Sequence, residues 1–216
     1  MRVVIAGGHG QIALHLEKLL AQRHDEPVGI VRNQDHEPDL TAVGAETVLL
    51  DLEKSDVDSV AKVLEGADAA VFAAGAGPGS GEARKDTVDR AAAVLFADAA
   101  GRAGVRRFVQ VGSMGADNPD APGLDPVFAK YLQAKQAAEE DLKSRDLEWT
   151  ILRPGALTNE SGTGRVKIAE KTGRASVPRE DVAAVLLALL DTPATAGRTL
   201  ELISGDDSIE DALSAL

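Results

Sequence analysis

The chain contains no cysteine, which excludes disulfides, thiol nucleophiles and thiolate metal ligands together. Aromatic residues are scarce as well. One Trp, one Tyr and four Phe leave the core to Ala, Val, Leu and Ile, which suit buried parallel strands under Ala-rich helices. Long apolar runs are missing. The longest, Val182–Leu190, falls far short of the roughly 18 residues that indicate a membrane span. The apolar start Val3–Ala6 is interrupted by Gly7 and Gly8, too early for a secretory signal. A cytoplasmic protein with no membrane association is therefore expected. Basic residues are outnumbered: 23 Lys and Arg against 35 Asp and Glu, a net charge of -12, repel nucleic acid as a partner. The four histidines, His9, His15, His24 and His36, are scattered and suggest no metal cluster. An anionic ligand must then be held locally, by a glycine loop or by individual arginines.

What the chain does have is an alternating pattern over 216 residues, 44% of them hydrophobic, enough for one domain with a substantial core. Arg2–Ala6 reads as a strand that passes through Gly7–Gly10 into a helix carrying Ile12, Leu16, Leu19 and Leu20. Further strands are expected at Pro27–Val31, Thr47–Leu50, Ala69–Ala73, Arg107–Val111 and Glu148–Leu152, with helices at Asp56–Leu64, Ala83–Ala103 and Val127–Arg145. Gly75–Gly81 reads as a flexible glycine-rich loop. Beyond about residue 156 the pattern loosens into short strands near Arg165–Ile168 and Thr199–Ile203, a helix Arg179–Leu190 and an unassigned tail, Glu210–Leu216. This alternation predicts an α/β fold: a doubly wound, Rossmann-type parallel sheet in a single domain, with a short C-terminal substrate-side region.

In GGHGQIA, Gly7–Ala13, the first strand turns into the first helix. Gly7 permits the tight turn, Gly10 lets the backbone approach a pyrophosphate, and Ala13 is small enough for close helix packing. Gly7, Gly8, His9, Gly10, Gln11 and Ile12 are thus candidate dinucleotide contacts. His9 either donates to a phosphate or is an exposed loop residue. Arg32 follows the second strand and no carboxylate occupies that strand end, favouring a 2′-phosphate, and hence NADP(H) over NAD(H), although Arg32 also reads as a surface arginine just past a strand. Asp51 and Leu52, past strand three, suit an adenine edge and face, although Asp51 also reads as a loop or cap residue. Ala74 and Gly75 end strand four, where ligands collect in open α/β sheets. Strand five leads to Ser113, and the next helix carries Tyr131 and Lys135 at i and i+4, on one face. A nearby cation favours the ionised form of a phenol, and a serine hydroxyl can bond a reacting carbonyl.

GGHGQIA, Arg32, Asp51-Leu52, RRFVQVGSMGAD, YLQAK, LEWTILRPGALTNE and VPREDVA together resemble the short-chain dehydrogenase/reductase superfamily, in its short atypical NAD(P)-binding branch of NmrA-like and flavin-reductase-like proteins. The resemblance implies that Ser113 orients a carbonyl, that Tyr131 is the general acid/base, and that Lys135 holds the nicotinamide ribose. It also implies that Pro154, Gly155, Leu157 and Thr158 pass the nicotinamide. It departs from the pattern at Gly112, where many relatives have a second serine, and at Ala13, which replaces a third glycine. The expected function is NADP(H)-dependent reduction of a small carbonyl, quinone or flavin-like substrate. The alternatives are a non-catalytic NADP(H)-binding redox sensor and a nucleotide-sugar-type epimerase or dehydratase. The expected partner is a small-molecule substrate, with pairing into a homodimer left open.

Overall fold

A computed structural model describes residues 1–77 and 84–216. The chain starts with β1 (Arg2–Ala6), α1 (Gln11–Gln22), β2 (Glu26–Val31), α2 (Glu37–Ala42), β3 (Glu46–Leu49), α3 (Val57–Leu64) and β4 (Ala69–Phe72). From Lys85 a π-helical stretch to Ala92 runs directly into α4 (Ala93–Ala103), followed by β5 (Arg107–Val111), α5 (Pro126–Lys143) and β6 (Glu148–Pro154). The remainder is β7 (Ala156–Thr158), β8 (Arg165–Ala169), β9 (Ser176–Pro178), α6 (Arg179–Leu190), β10 (Arg198–Ser204), β11 (Asp207–Ser208) and α7 (Ile209–Ser214).

Nine strands form one sheet in the order β11-β8-β10-β6-β5-β4-β1-β2-β3, and β7 and β9 make a separate parallel pair. From β3 across to β10 every pairing is parallel. Side chains alternate across this sheet because successive residues of a strand point to opposite faces. Val3 and Ile5 join the cluster beneath α1 and α6, whereas Val4 and Ala6 join the cluster beneath α3, α4 and α5. Phe72, Phe96 and Phe108, three of the four phenylalanines, meet in the second cluster with ring centroids 5.8 to 6.1 Å apart. The shortage of aromatics is offset by concentrating them.

After β3 the chain crosses over β1 to reach β4, so the carboxyl ends of β1 and β4 flank the point where strand order reverses. Open α/β sheets have their binding crevice there. α/β architecture and a mostly parallel sheet agree with the sequence reading. Several details do not. The edge is not parallel: β8 runs antiparallel to both β10 and β11. β6 continues through Arg153 and Pro154, paired with β10 as far as Leu202. The unassigned tail is helix α7, capped by the Ser208 hydroxyl on Asp211 N. The loop expected over Gly75–Gly81 lies, from residue 78 onward, outside the described residues, as does Ala83.

Candidate functional site

The turn after β1 is closed by Gly10 N donating to Gly7 O at 2.8 Å, and Gly7 has φ +83°. A Cβ at Gly7 would lie 2.6 Å from Ala74 Cα. Both the left-handed backbone and this approach of two strand ends require glycine. Gly10 is the N-cap of α1 without a side-chain cap, and no acidic residue occupies the first turn. The first amides of α1 are thus left for an anion.

Two cavities meet at this turn, sharing Gly10 and Ala73–Ala76. One is lined by Gly7, His9, Arg32, His36, Asp51, Leu52, Glu53 and Arg84. The other, about 800 Å³, is lined by Gln11, Ile12, Asp89, Ser113, Val127, Phe128, Tyr131, Lys135, Pro154, Gly155, Leu157 and Arg179. Two compartments joined over a bare helix N-terminus fit the two halves of a dinucleotide on either side of its pyrophosphate. A Cβ at Gly10 would occupy the junction, 3.1 Å from Gly7 O.

Ser113, Tyr131 and Lys135 line the same cavity, as the sequence reading expects. They arrive by different routes. Ser113 follows β5, where Gly112 N donates to Leu152 O at 2.8 Å, and its hydroxyl makes a long 3.4 Å bond to Met114 O. Tyr131 and Lys135 are carried by α5, which starts where Asp125 accepts from Val127 N and Phe128 N, each at 3.0 Å, with Pro126 in the first turn. The Tyr131 ring stacks on Phe128 with centroids 5.7 Å apart, and Lys135 Nζ lies 5.8 Å from the tyrosine centroid.

Lys135 is buried. Its ammonium donates to Val111 O at 3.2 Å and lies 3.4 Å from Asp89 Oδ1. Burial alone would lower its pKa, but the charges of Tyr131 and Asp89 offset this and hold it above the ordinary lysine value. Asp89, which the sequence reading did not single out, also accepts from Ala76 N at 3.3 Å. It comes from the π-helical stretch, an irregularity frequent at functional sites. The signal was an Asp at apolar spacing with Ala92, Ala93 and Phe96.

Behind Lys135, the buried Glu139 accepts from Arg153 Nε at 3.1 Å. A Cβ at Gly112 would stand 2.4 Å from Glu139 Oε1. The ion pair occupies the space that a second serine would need.

In the cavity on the His9 and Asp51 side Arg32 is 54% exposed, and its Nη1 lies 3.3 Å from Glu53 Oε2. The strand end does carry a carboxylate, contrary to the sequence reading, because the loop after β3 folds Glu53 alongside β2. Arg84 lies 2.8 Å from the same oxygen, and the Thr87 hydroxyl donates to Oε1 at 2.6 Å. The Thr87 bond, followed by the Arg84 contact, holds Glu53 below the usual carboxylate range. Asp51 is engaged by Lys54 at 3.1 Å and by Glu53 N. His9 bonds Asp39 at 2.7 Å and stacks on His36 at 3.6 Å, so these two histidines are together in space.

Two candidate residues are placed elsewhere. Gly8 lines neither cavity, because α1 presses it onto β2: a Cβ there would lie 2.7 Å from Gly29 Cα and 2.9 Å from Glu17 Oε1. Thr158 turns into a neighbouring cleft with Gln11, His15, Lys18 and Asn159, because the β7–β9 pairing lets only Leu157 face Tyr131's cavity. Glu17 itself is fully buried, neither carboxylate oxygen has a hydrogen-bond partner, and burial pushes its pKa up to about 8.

Comparison with known proteins agrees with this architecture. Residues 7–193 match the family model described as NAD(P)H-binding, and the chain belongs to that family. A Bacillus subtilis protein named uncharacterized sugar epimerase YhfK is 36% identical over the full length of both chains. A solved structure from Bacillus halodurans, provisionally described as an NAD-dependent epimerase/dehydratase, is 35% identical with a TM-score of 0.93, covering all of both chains. The oxidoreductase YlbE of Lactococcus lactis is 28% identical with a TM-score of 0.88, covering 100% of this chain and 96% of its own. The chain is thus an NAD(P)-binding protein with an oxidoreductase-like Rossmann fold.

Proposed function

We propose that this protein is an NADP(H)-dependent reductase of a small carbonyl, quinone or flavin-like substrate. The observation that carries this reading is the meeting of Ser113, Tyr131 and Lys135 in one cavity beside the glycine turn. Bound NADPH supplies the hydride. The chain supplies the rest: the Ser113 hydroxyl bonds the substrate carbonyl, and the Tyr131 phenol donates its proton to that oxygen as it gains charge. Lys135, kept cationic by Asp89, stabilises the phenolate that remains. Arg32 and Arg84 favour the 2′-phosphate of NADP(H), with which Glu53 competes.

A second reading, an epimerase that uses the nicotinamide transiently, is favoured by the names of two similar proteins. Against it stands the short segment between Asn159 and Val177, which contributes one sheet strand and part of a two-stranded ribbon. Oxidation of NADPH by purified protein across a panel of aldehydes, ketones, quinones and flavins tests the proposal. Turnover is expected, and Tyr131→Phe should lower kcat by roughly a hundredfold to ten-thousandfold while NADPH still binds. NADPH binding with no oxidation of any panel member would overturn it. Interconversion of sugar epimers without net cofactor change would establish the second reading.

A further inference from the structure

Arg179, the first residue of α6, lines the cavity that holds Ser113 and Tyr131. It also borders the neighbouring cleft with Thr158, Asn159 and Glu180. Among the described residues its guanidinium has one hydrogen-bond partner, the neutral Asn159 Oδ1 at 2.6 Å, and no carboxylate reaches it. The acidic residues that follow are occupied elsewhere. Glu180 accepts from Gly162 N at 2.6 Å, and Asp181 accepts from Thr163 N and Gly164 N at 3.0 and 2.8 Å.

The other charges lining this cavity are already accounted for. Lys135 is matched by Asp89, and Asp125 is taken up in capping α5. Arg179 alone among these charged residues has neither a carboxylate at ion-pair distance nor a capping role, in a chain whose net charge is -12. Part of the same lining is apolar and open: Val127 and Phe128 are each 44% exposed and Leu157 is 38% exposed, three of the five large hydrophobic residues that remain exposed among the described residues. A guanidinium pairs strongly with carboxylate or phosphate oxygens, and apolar walls suit a flat or aliphatic body.

We infer that Arg179 is a specificity-determining residue, and that the substrate is an apolar molecule bearing an anionic group, carboxylate or phosphate, which Arg179 receives while Val127, Phe128 and Leu157 cover the body. This rests on the proposed reading of the cavity as a substrate site. Asn159 holds the guanidinium in place until the anion arrives.

The test compares benzoate with benzyl alcohol, two probes of similar size and different charge, by calorimetric titration of the NADP-saturated protein. Benzoate is expected to bind about tenfold or more tightly than benzyl alcohol, the scale of one charge-assisted pairing. Arg179→Gln should abolish that difference, leaving benzyl alcohol and NADPH affinities within about twofold of the unmodified protein. Arg179→Lys should retain part of the preference, which separates loss of charge from loss of fold. In turnover, Arg179→Gln should raise the KM for para-carboxybenzaldehyde and leave the KM for benzaldehyde unchanged, with kcat for benzaldehyde little altered. Equal binding of the two probes to the unmodified protein would overturn the inference. So would a marked loss of NADPH affinity in Arg179→Gln, which would assign the arginine to the cofactor pyrophosphate. Failure of the reductase reading is recognised separately, as NADPH that binds but is not oxidised, since the probe titration requires no turnover.

Discussion

Asp89 Oδ1 lies 3.4 Å from Lys135 Nζ, and the two side chains are 0% and 5% exposed. A buried pair of this kind is costly to break, because removing one partner strands the other charge away from water, at roughly 3–5 kcal/mol. Asp89→Asn should therefore lower unfolding stability by that amount in urea titration. Lys135→Met added to it should restore part of the loss, since the stranded charge is then gone. Lys135 is held above its unfolded value, so its stabilisation is fully present below about pH 10.4 and is lost as pH rises further. An Asp89→Asn protein as stable as the unmodified one would show that the pair contributes nothing.

The two guanidiniums around Glu53 predict cofactor choice. NADPH should bind on the order of tenfold to a hundredfold more tightly than NADH, as expected for charge-assisted pairing with a phosphate. Arg32→Ala should erase most of this preference with little change in NADH affinity. Glu53→Gln should increase it, because the competing carboxylate is removed. Fluorescence titration with both cofactors decides, and tighter binding of NADH to the unmodified protein would assign Glu53 to the ribose hydroxyls instead.

Glu17 makes stability depend on pH. Its pKa is about 8 in the folded chain and near 4.3 in an unfolded one, so between these values the folded state binds the extra proton. The stabilisation is complete below the unfolded value and is lost as pH rises to about 8, with a slope of about 1.4 kcal/mol per pH unit at most. Glu17→Gln cannot ionise, and its unfolding free energy should be nearly level from pH 5 to 8. Parallel pH profiles for the two proteins would exclude Glu17 as the source.

Gly112→Ser would introduce the second serine that the family resemblance leads one to expect, and should nonetheless destabilise the protein. The new Cβ meets Glu139 Oε1 at 2.4 Å and Ile151 Cγ2 at 3.1 Å, overpacking of a kind that costs about 1–3 kcal/mol. Combining it with Glu139→Ala should cost less than the sum of the two changes, because they share one space. Strict additivity in thermal unfolding would show that the clash relaxes elsewhere.

By itself, the sequence was sufficient for the parallel strands β1 to β6 and for placing Tyr131 and Lys135 on one helix face. Strand-helix alternation follows from local hydrophobic period, the glycine turn from backbone conformations closed to other residues, and the Tyr131–Lys135 face from the pitch of one helix. Tertiary structure alone decided how charges pair across elements. Glu53 reaches Arg32 and Arg84, Asp89 reaches Lys135, and Glu139 claims the space beside Gly112, over sequence separations that no local period encodes. The same holds for the cavity wall formed by Val127, Phe128 and Arg179, and for Gly8, whose glycine serves the contact between α1 and β2 rather than a phosphate. Periodicity reports which face of an element is buried; only the packing of several elements determines which buried or cleft-facing groups become neighbours.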